Sequence, residues 1–343
     1  MRFDVFLPSL LISPDWFGDS SPPRLPAIES LLANGRAQVG ADWPQPLLAR
    51  FGVSDGIAAI SAYGDSIDTD GAGWMFAEPA HFQADRDTVN LFPPSHLDIR
   101  IEEVAQLLNA LNTNFDDRGL VFATGASGRW YVRCHPQELP QTTSIRAAQR
   151  GAVFEKLPQS TGKLSWKAIQ NEAQMLFHAH PVNEKREADR RLTINGLWFW
   201  GDGVLPTLTT STKPPGIVCG DTPLSNGLAK LCGAKTASLD LRDLLTNKLT
   251  DDDGLLMLDA LISLHERGDI EGWRDAAQAL DSQTFAPLLA SLQSGVIEEI
   301  VVTLPRECDS LVVTITAKSL LGISGWWNKL TKRPRPFLES AHA

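Results

Sequence analysis

The chain has 343 residues, 43% of them hydrophobic, and a formal net charge of −10. That size and apolar content give one large α/β domain or two ordinary ones rather than a disordered chain, and acidic groups spread throughout argue against nucleic acid, whose phosphates need clustered Lys and Arg. Cys134, Cys219, Cys232 and Cys308 form no CxxC pair and no Cys/His grouping at zinc spacing, so neither a disulfide framework nor a structural metal is expected, and a reducing cytoplasm fits.

The opening MRFDVFLPSLLISPDW is apolar, but Asp4 and two prolines interrupt it and no small-residue cleavage site follows, which predicts a first strand rather than a signal peptide. No apolar run approaches the roughly 20 residues of a membrane span. A Pro/Ser/Gly loop leads to a helix in which Ile28, Leu31 and Leu32 share a face and Gly35 supplies the stop. Residues 42–80 are rich in Pro, Gly and Asp with little periodicity, and WMFAEPAHFQADRDTVNLF reads as extended segments around a polar turn at residues 84–87. Apolar residues at 101, 104, 107, 108 and 111 predict an amphipathic helix, and LVFATGASGRWYVR predicts two strands joined by a Gly-Ala-Ser-Gly turn. Roughly residues 70–160 therefore read as an α+β unit.

The second half alternates. LTINGLWFWGDG predicts a buried strand ending in a Gly-rich turn, GIVCGD a short strand, TPLSNGLAKLCG a helix capped by Thr222 and stopped by Gly233, and TASLDL another strand. Such alternation implies parallel strands with crossover helices. Farther on, GLLMLDALISL predicts a strand, IEGWRDAAQALDSQTFAPLLASLQSG a helical stretch, and IEEIVVTL and SLVVTIT two more strands before a basic tail.

Candidate chemistry gathers around QMLFHAHPVNEKRE. On the helix before Pro181, Asn171, Gln174 and His178 form a polar stripe that faces either a cleft or solvent. His178 and His180 lack the further ligands a metal needs. Asn183 reads as an N-cap for EKREADRR. Arg186 and Arg190 project from one helical face, to hold either a phosphate or carboxylate or acidic side chains. Gly201 and Gly203 form a GxG whose third position is Pro206 instead of glycine, and STGKLSWK lacks the first glycine of a phosphate loop. No GxSxG is present.

HPVNEKREADRRLTINGLWFWGDGVLPTL and DTPLSNGLAKLCGA resemble the middle of archaeal-type cofactor-independent phosphoglycerate mutases, where a His-Pro-x-Asn-x-x-Arg run precedes an Asn-x-x-Trp-x-Trp-Gly-x-Gly strand. AHFQADRDTVNLF, NEAQMLFHAHPVN, LWFWGDGVLP and GDIEGWRDAAQALD resemble still more closely a bacterial family of unknown biochemistry that carries the names phosphoglycerate mutase or RpfE-type regulatory protein. The resemblance implies an α/β fold, a Rossmann-like alkaline-phosphatase-type core over residues 1–50 and 165–325, with an inserted α+β unit over 51–164 and a basic tail over 326–343.

Those mutases use a Ser nucleophile and two divalent metals held by Asp and His, because a phosphoryl transition state needs that positive charge. At the matching places this chain has Pro8 and Ser9 after the first strand, Ser20 and Ser21 in the nucleophile region, Ile262 and Glu266 ahead of Gly268-Asp269 with His265 one position off, and Leu304, Pro305 and Arg306 at the last strand. The resemblance thus implies a non-catalytic, regulatory protein with no catalytic residues, metal or cofactor, whose His178, Asn183, Arg186, Asn195, Gly201 and Gly203 bind a small anionic metabolite or which acts on a protein partner. The alternative is a phosphotransferase or phosphatase with rearranged ligands, or a hydrolase using His178 or His265.

Overall fold

Continuous apolar runs and alternating ones both become strands here, and which sheet each joins depends on its partners. A computed structural model of the chain describes residues 1–321 other than 70, 87, 151, 209–211 and 238–251, so the tail over 326–343 and the last part of TASLDL lie outside the described residues. The first half contains β1 (Arg2–Phe6), α1 (Pro26–Asn34), β2 (Arg36–Gly40), α2 (Gln45–Arg50), α3 (Ile57–Gly64), β3 (Gly73–Asp85), β4 (Thr88–Phe92), α4 (Ile101–Phe115), β5 (Val121–Thr124), β6 (Trp130–Cys134) and α5 (Ile145–Ala148). The second contains α6 (Trp166–His178), α7 (Pro181–Ala188), β7 (Gly196–Gly203), β8 (Ile217–Cys219), α8 (Pro223–Cys232), β9 (Lys235–Ala237), β10 (Gly254–Met257), α9 (Ile262–Glu266), α10 (Ile270–Leu280), α11 (Ala286–Gln293), β11 (Glu299–Pro305), β12 (Ser310–Thr316) and α12 (Ala317–Leu321). Among the described residues no helix is long and apolar enough to cross a membrane.

The chain divides into two compact units, Met1–Val53 with Leu208–Ala343, and Ser54–Thr207. The first is an α/β core, as expected. Its seven-stranded sheet runs β2-β12-β11-β1-β10-β8-β9; β1 pairs parallel with β10 and β11, β8 parallel with β10 and β9, and β12 antiparallel with β11 and β2. Strands buried on both faces need helical cover, and Phe3, Val5, Leu256, Ile300 and Val302 pack with Ile28 and Leu31 of α1, Trp273 and Ala277 of α10, and Leu288 and Leu292 of α11. Each such side chain contributes about 1.5–3 kcal/mol by leaving water. α8 follows its sequence signals: Thr222 and Ser225 form a capping box, Pro223 opens the helix, and Gly233 closes it at φ 69°.

In the second unit, β3 pairs antiparallel with β4, β6 and β7, and β5 with β6. Met75, Ala77, Val132, Leu197 and Phe199 pack against Leu107, Leu111 and Phe115 of α4 and Trp166, Ile169, Ala173 and Phe177 of α6. β7 therefore departs from the sequence expectation of a parallel core strand: residues Gly196–Trp200 are buried throughout, but their hydrogen-bonding partner is β3. An apolar run reports burial, not strand direction. For the same reason α6, α7 and β7 fall in the second unit, which extends to Thr207, whereas the expected insert ends at residue 164.

Candidate functional site

The sequence-derived site residues separate into two groups. Asn183 and Arg186 lie on α7, whose N-cap is His180: its Nδ1 accepts from the Val182 amide at 3.2 Å, and Pro181 takes the first helical position. Asn183 is thus inside the first turn rather than the cap expected of it, because Pro181 starts a helix more readily than it allows one to pass through. Burial holds His180 below its ordinary histidine value, which favours the neutral ring this cap requires.

The Asn183 side chain is buried and donates to the carbonyls of Phe177 and Ile194, both at 2.8 Å, while accepting from the Ile194 amide. Asn195 makes a matching clamp, donating to the Phe82 carbonyl at 2.9 Å and accepting from the Phe82 amide at 2.7 Å. Arg186 is fully buried, with 0% of its side chain exposed. Its Nε donates to the Leu192 carbonyl at 2.7 Å, one terminal nitrogen to Glu103 at 2.6 Å, and the other to the Leu97 carbonyl. Arg191 adds a second cation on Glu103 at 2.8 Å and donates to the Asp98 carbonyl.

This arrangement corrects the reading of Arg186 as a cleft-lining anion ligand. α7 ends at Ala188 and Arg190 sits at φ 57°, so the helical face shared by Arg186 and Arg190 does not exist; Arg191 converges with Arg186 instead. Burial alone raises the Glu103 carboxyl, but the Arg100 amide and the two guanidinium groups outweigh it and hold the acid below its ordinary value. Burial likewise pulls the Arg186 guanidinium below its ordinary value against the opposing pull of Glu103. An acidic partner, the commoner use of such an arginine, is the one found. Glu103 itself was not legible, since it stands 83 residues before Arg186 on α4.

Gly201 and Gly203 form the second group. Gly201 has φ 75°, and a Cβ there would stand 2.8 Å from Ile57; a Cβ on Gly203 would stand 2.5 Å from the backbone of Gly56. Gly201 is accounted for by the close approach of the Ile57 and Phe76 side chains, and Gly203 by the Gly56 backbone at the start of α3. Six residues of strand, about 20 Å, separate Asn195 from Gly201, so the two groups do not share one small ligand. His178, the last residue of α6, is exposed, as is Asn171, and the polar stripe is a solvated one.

The strand ends of the first unit are apolar where the resemblance implies ligands. β1 runs on into Leu7, Pro8 and Ser9, all buried, with Ser9 at φ 60° and its carbonyl accepting from the Trp273 indole at 2.9 Å. Trp273 meets Phe17 edge-on at 5.4 Å and Trp16 at 6.0 Å, and Trp16 meets His265 at 5.4 Å. Leu258, Leu261 and Leu304 are buried beside them in the same core. Arg306, past the end of β11, is tied to Asp309 at 2.6 Å. These residues do not fit a pair of divalent cations, which in such surroundings need carboxylates to offset lost hydration. Carboxylates that do follow core strands, Asp221 after β8 and Asp259 after β10, are exposed, and among the described residues no three His, Cys, Asp or Glu converge into a metal-holding group.

No protein-family model matches this chain, and no curated protein matches it significantly. Among solved structures, it is similar to the PH0037 protein from Pyrococcus horikoshii, at 14% identity and a TM-score of 0.51 over 92% of this chain and 87% of that one. It is also similar to a cofactor-independent phosphoglycerate mutase from Thermoplasma acidophilum DSM 1728, at 17% identity and a TM-score of 0.43 over 92% of this chain and 89% of that one. Identities this low speak to the fold alone.

Proposed function

We propose that this chain is a non-catalytic, phosphoglycerate-mutase-like protein of the cytoplasm that acts in regulation by binding a partner instead of turning over a substrate. The observation that carries the reading is the filling of the strand ends at β1, β10 and β11: Leu7, Leu258, Leu261 and Leu304 pack with Phe17 and Trp273 where phosphoryl-transfer chemistry would need anionic metal ligands. A small anionic metabolite is the weaker version of the proposal, because Asn183, Arg186 and Asn195 already spend hydrogen bonds on backbone and Glu103.

One observation favours a second reading. Asp221 and Asp259 stand exposed after the adjacent strands β8 and β10, on the side of an open α/β sheet where ligands bind. Rearranged around these two acids, the protein would be a phosphatase or phosphotransferase. The test is a turnover assay on p-nitrophenyl phosphate and 3-phosphoglycerate with and without added Mn²⁺, alongside metal analysis of the purified protein. The proposal expects turnover at the blank rate. Stoichiometric metal with chelator-sensitive turnover, lost in Asp221→Asn or Asp259→Asn, would overturn it in favour of the second reading.

A further inference from the structure

The seven-stranded sheet ends on β2, which pairs with β12 along its whole length from Arg36↔Thr314 to Gly40↔Ser310. Among the described residues, nothing hydrogen-bonds the opposite edge of this strand. Four of its five residues are exposed, and Val39 leaves 70% of its surface in water.

A strand with one free edge presents a row of backbone donors and acceptors, and proteins ordinarily blunt such edges with Lys, Pro, a bulge or inward charges. β2 carries none of these in its centre: Ala37, Gln38 and Val39 are neutral, its pairing with β12 is regular, and the one charge is Arg36 at its start.

We propose that this edge is an interface between two copies of this chain, which pair antiparallel through β2 about a twofold axis at Gln38. That register opposes Arg36 to Gly40 of the second copy and Ala37 to Val39 of the second copy, twice over. It satisfies the ladder whichever alternate residues point outward, because residues of like parity face each other. No like charges meet directly. Arg36 meets the uncharged Gly40, so the strand pairs with its own copy in hydrogen bonding without a charge conflict. Val39, paired on the first copy with Leu311 of β12, gains apolar cover from Ala37 of the second. Two seven-stranded sheets then continue into one. The proposal stands independently of whether the protein is catalytic.

Sedimentation of the full chain over a wide concentration range is the test. The interface predicts a concentration-dependent dimer, weak because a five-residue strand pair buries little area. The double variant Ala37→Lys/Val39→Lys sets lysines directly opposite one another, and its dimer dissociation constant rises at least about tenfold with an unchanged circular-dichroism melting curve. Gln38→Cys, made with Cys308→Ser to remove the exposed native thiol, is captured as a covalent dimer by a short bis-maleimide, while Cys308→Ser alone is not. A full chain that stays monomeric at every concentration overturns the proposal. So does a dimer whose affinity ignores the two lysines, or a folded Gln38→Cys protein that does not cross-link, since either places the contact elsewhere.

Discussion

The turn around α7 and the strand ends beyond β1 handle polarity in opposite ways. Around α7, three residues that looked suited to an anion are turned inward: Arg186 closes with Arg191 on Glu103, and Asn183 and Asn195 clamp backbone. Beyond β1, where acids are implied, leucine and tryptophan fill the space. A side chain's chemistry becomes available to a ligand only when the fold has not already used it. Burying Arg186 without Glu103 would cost several kcal/mol, so the pair is a fixed part of the second unit rather than a reserve of binding groups.

Breaking the α7 network should give the largest effect. Arg186→Met, followed by denaturant unfolding, is expected to cost about 3–5 kcal/mol, because Glu103 remains buried with one cation fewer. A loss under about 1 kcal/mol would mean that Arg186 is solvated and free to bind. At the strand ends, Trp273→Phe is expected to cost about 1–3 kcal/mol, from the Ser9 carbonyl left without its indole donor and the space left by the smaller ring. No loss there would mean the region is an open cleft rather than a packed one.

Acid sharpens the comparison further. Because Glu103 titrates below its ordinary value in the fold, the stability it confers is complete above the unfolded carboxylate's range and is lost as pH falls through its folded value. Unfolding measured against pH should therefore show an acid limb that Glu103→Gln flattens; an unaltered limb would assign it to other groups. The smallest effect belongs to His178→Ala, which should leave stability within about 0.5 kcal/mol, as for an exposed helix end. A larger change would restore His178 as a site residue.

Much of the fold was legible because local signals and tertiary environment agree. α4 follows its apolar period, α8 its capping box and closing glycine, and β11 and β12 their runs of Ile, Val and Thr. α3 was missed because Ile57 through Ala62 are all buried, leaving no polar face to mark a helical period. β2 was missed for the converse reason: exposed on both faces, it has no alternation to read. The site was less legible than the fold. Motif residues on α7 were identified correctly as residues, but their use depends on Glu103 and on the Leu97 and Leu192 carbonyls, and no spacing in a chain reports contacts so distant in sequence.

The claim that the strand ends are closed to a metal pair is tested most directly by equilibrium dialysis of the purified, chelator-treated protein against Mn²⁺. The account predicts no stoichiometric, saturable binding at micromolar metal. Two Mn²⁺ bound per chain, with affinity abolished by substitutions at residues beyond β1 and β11, would contradict it.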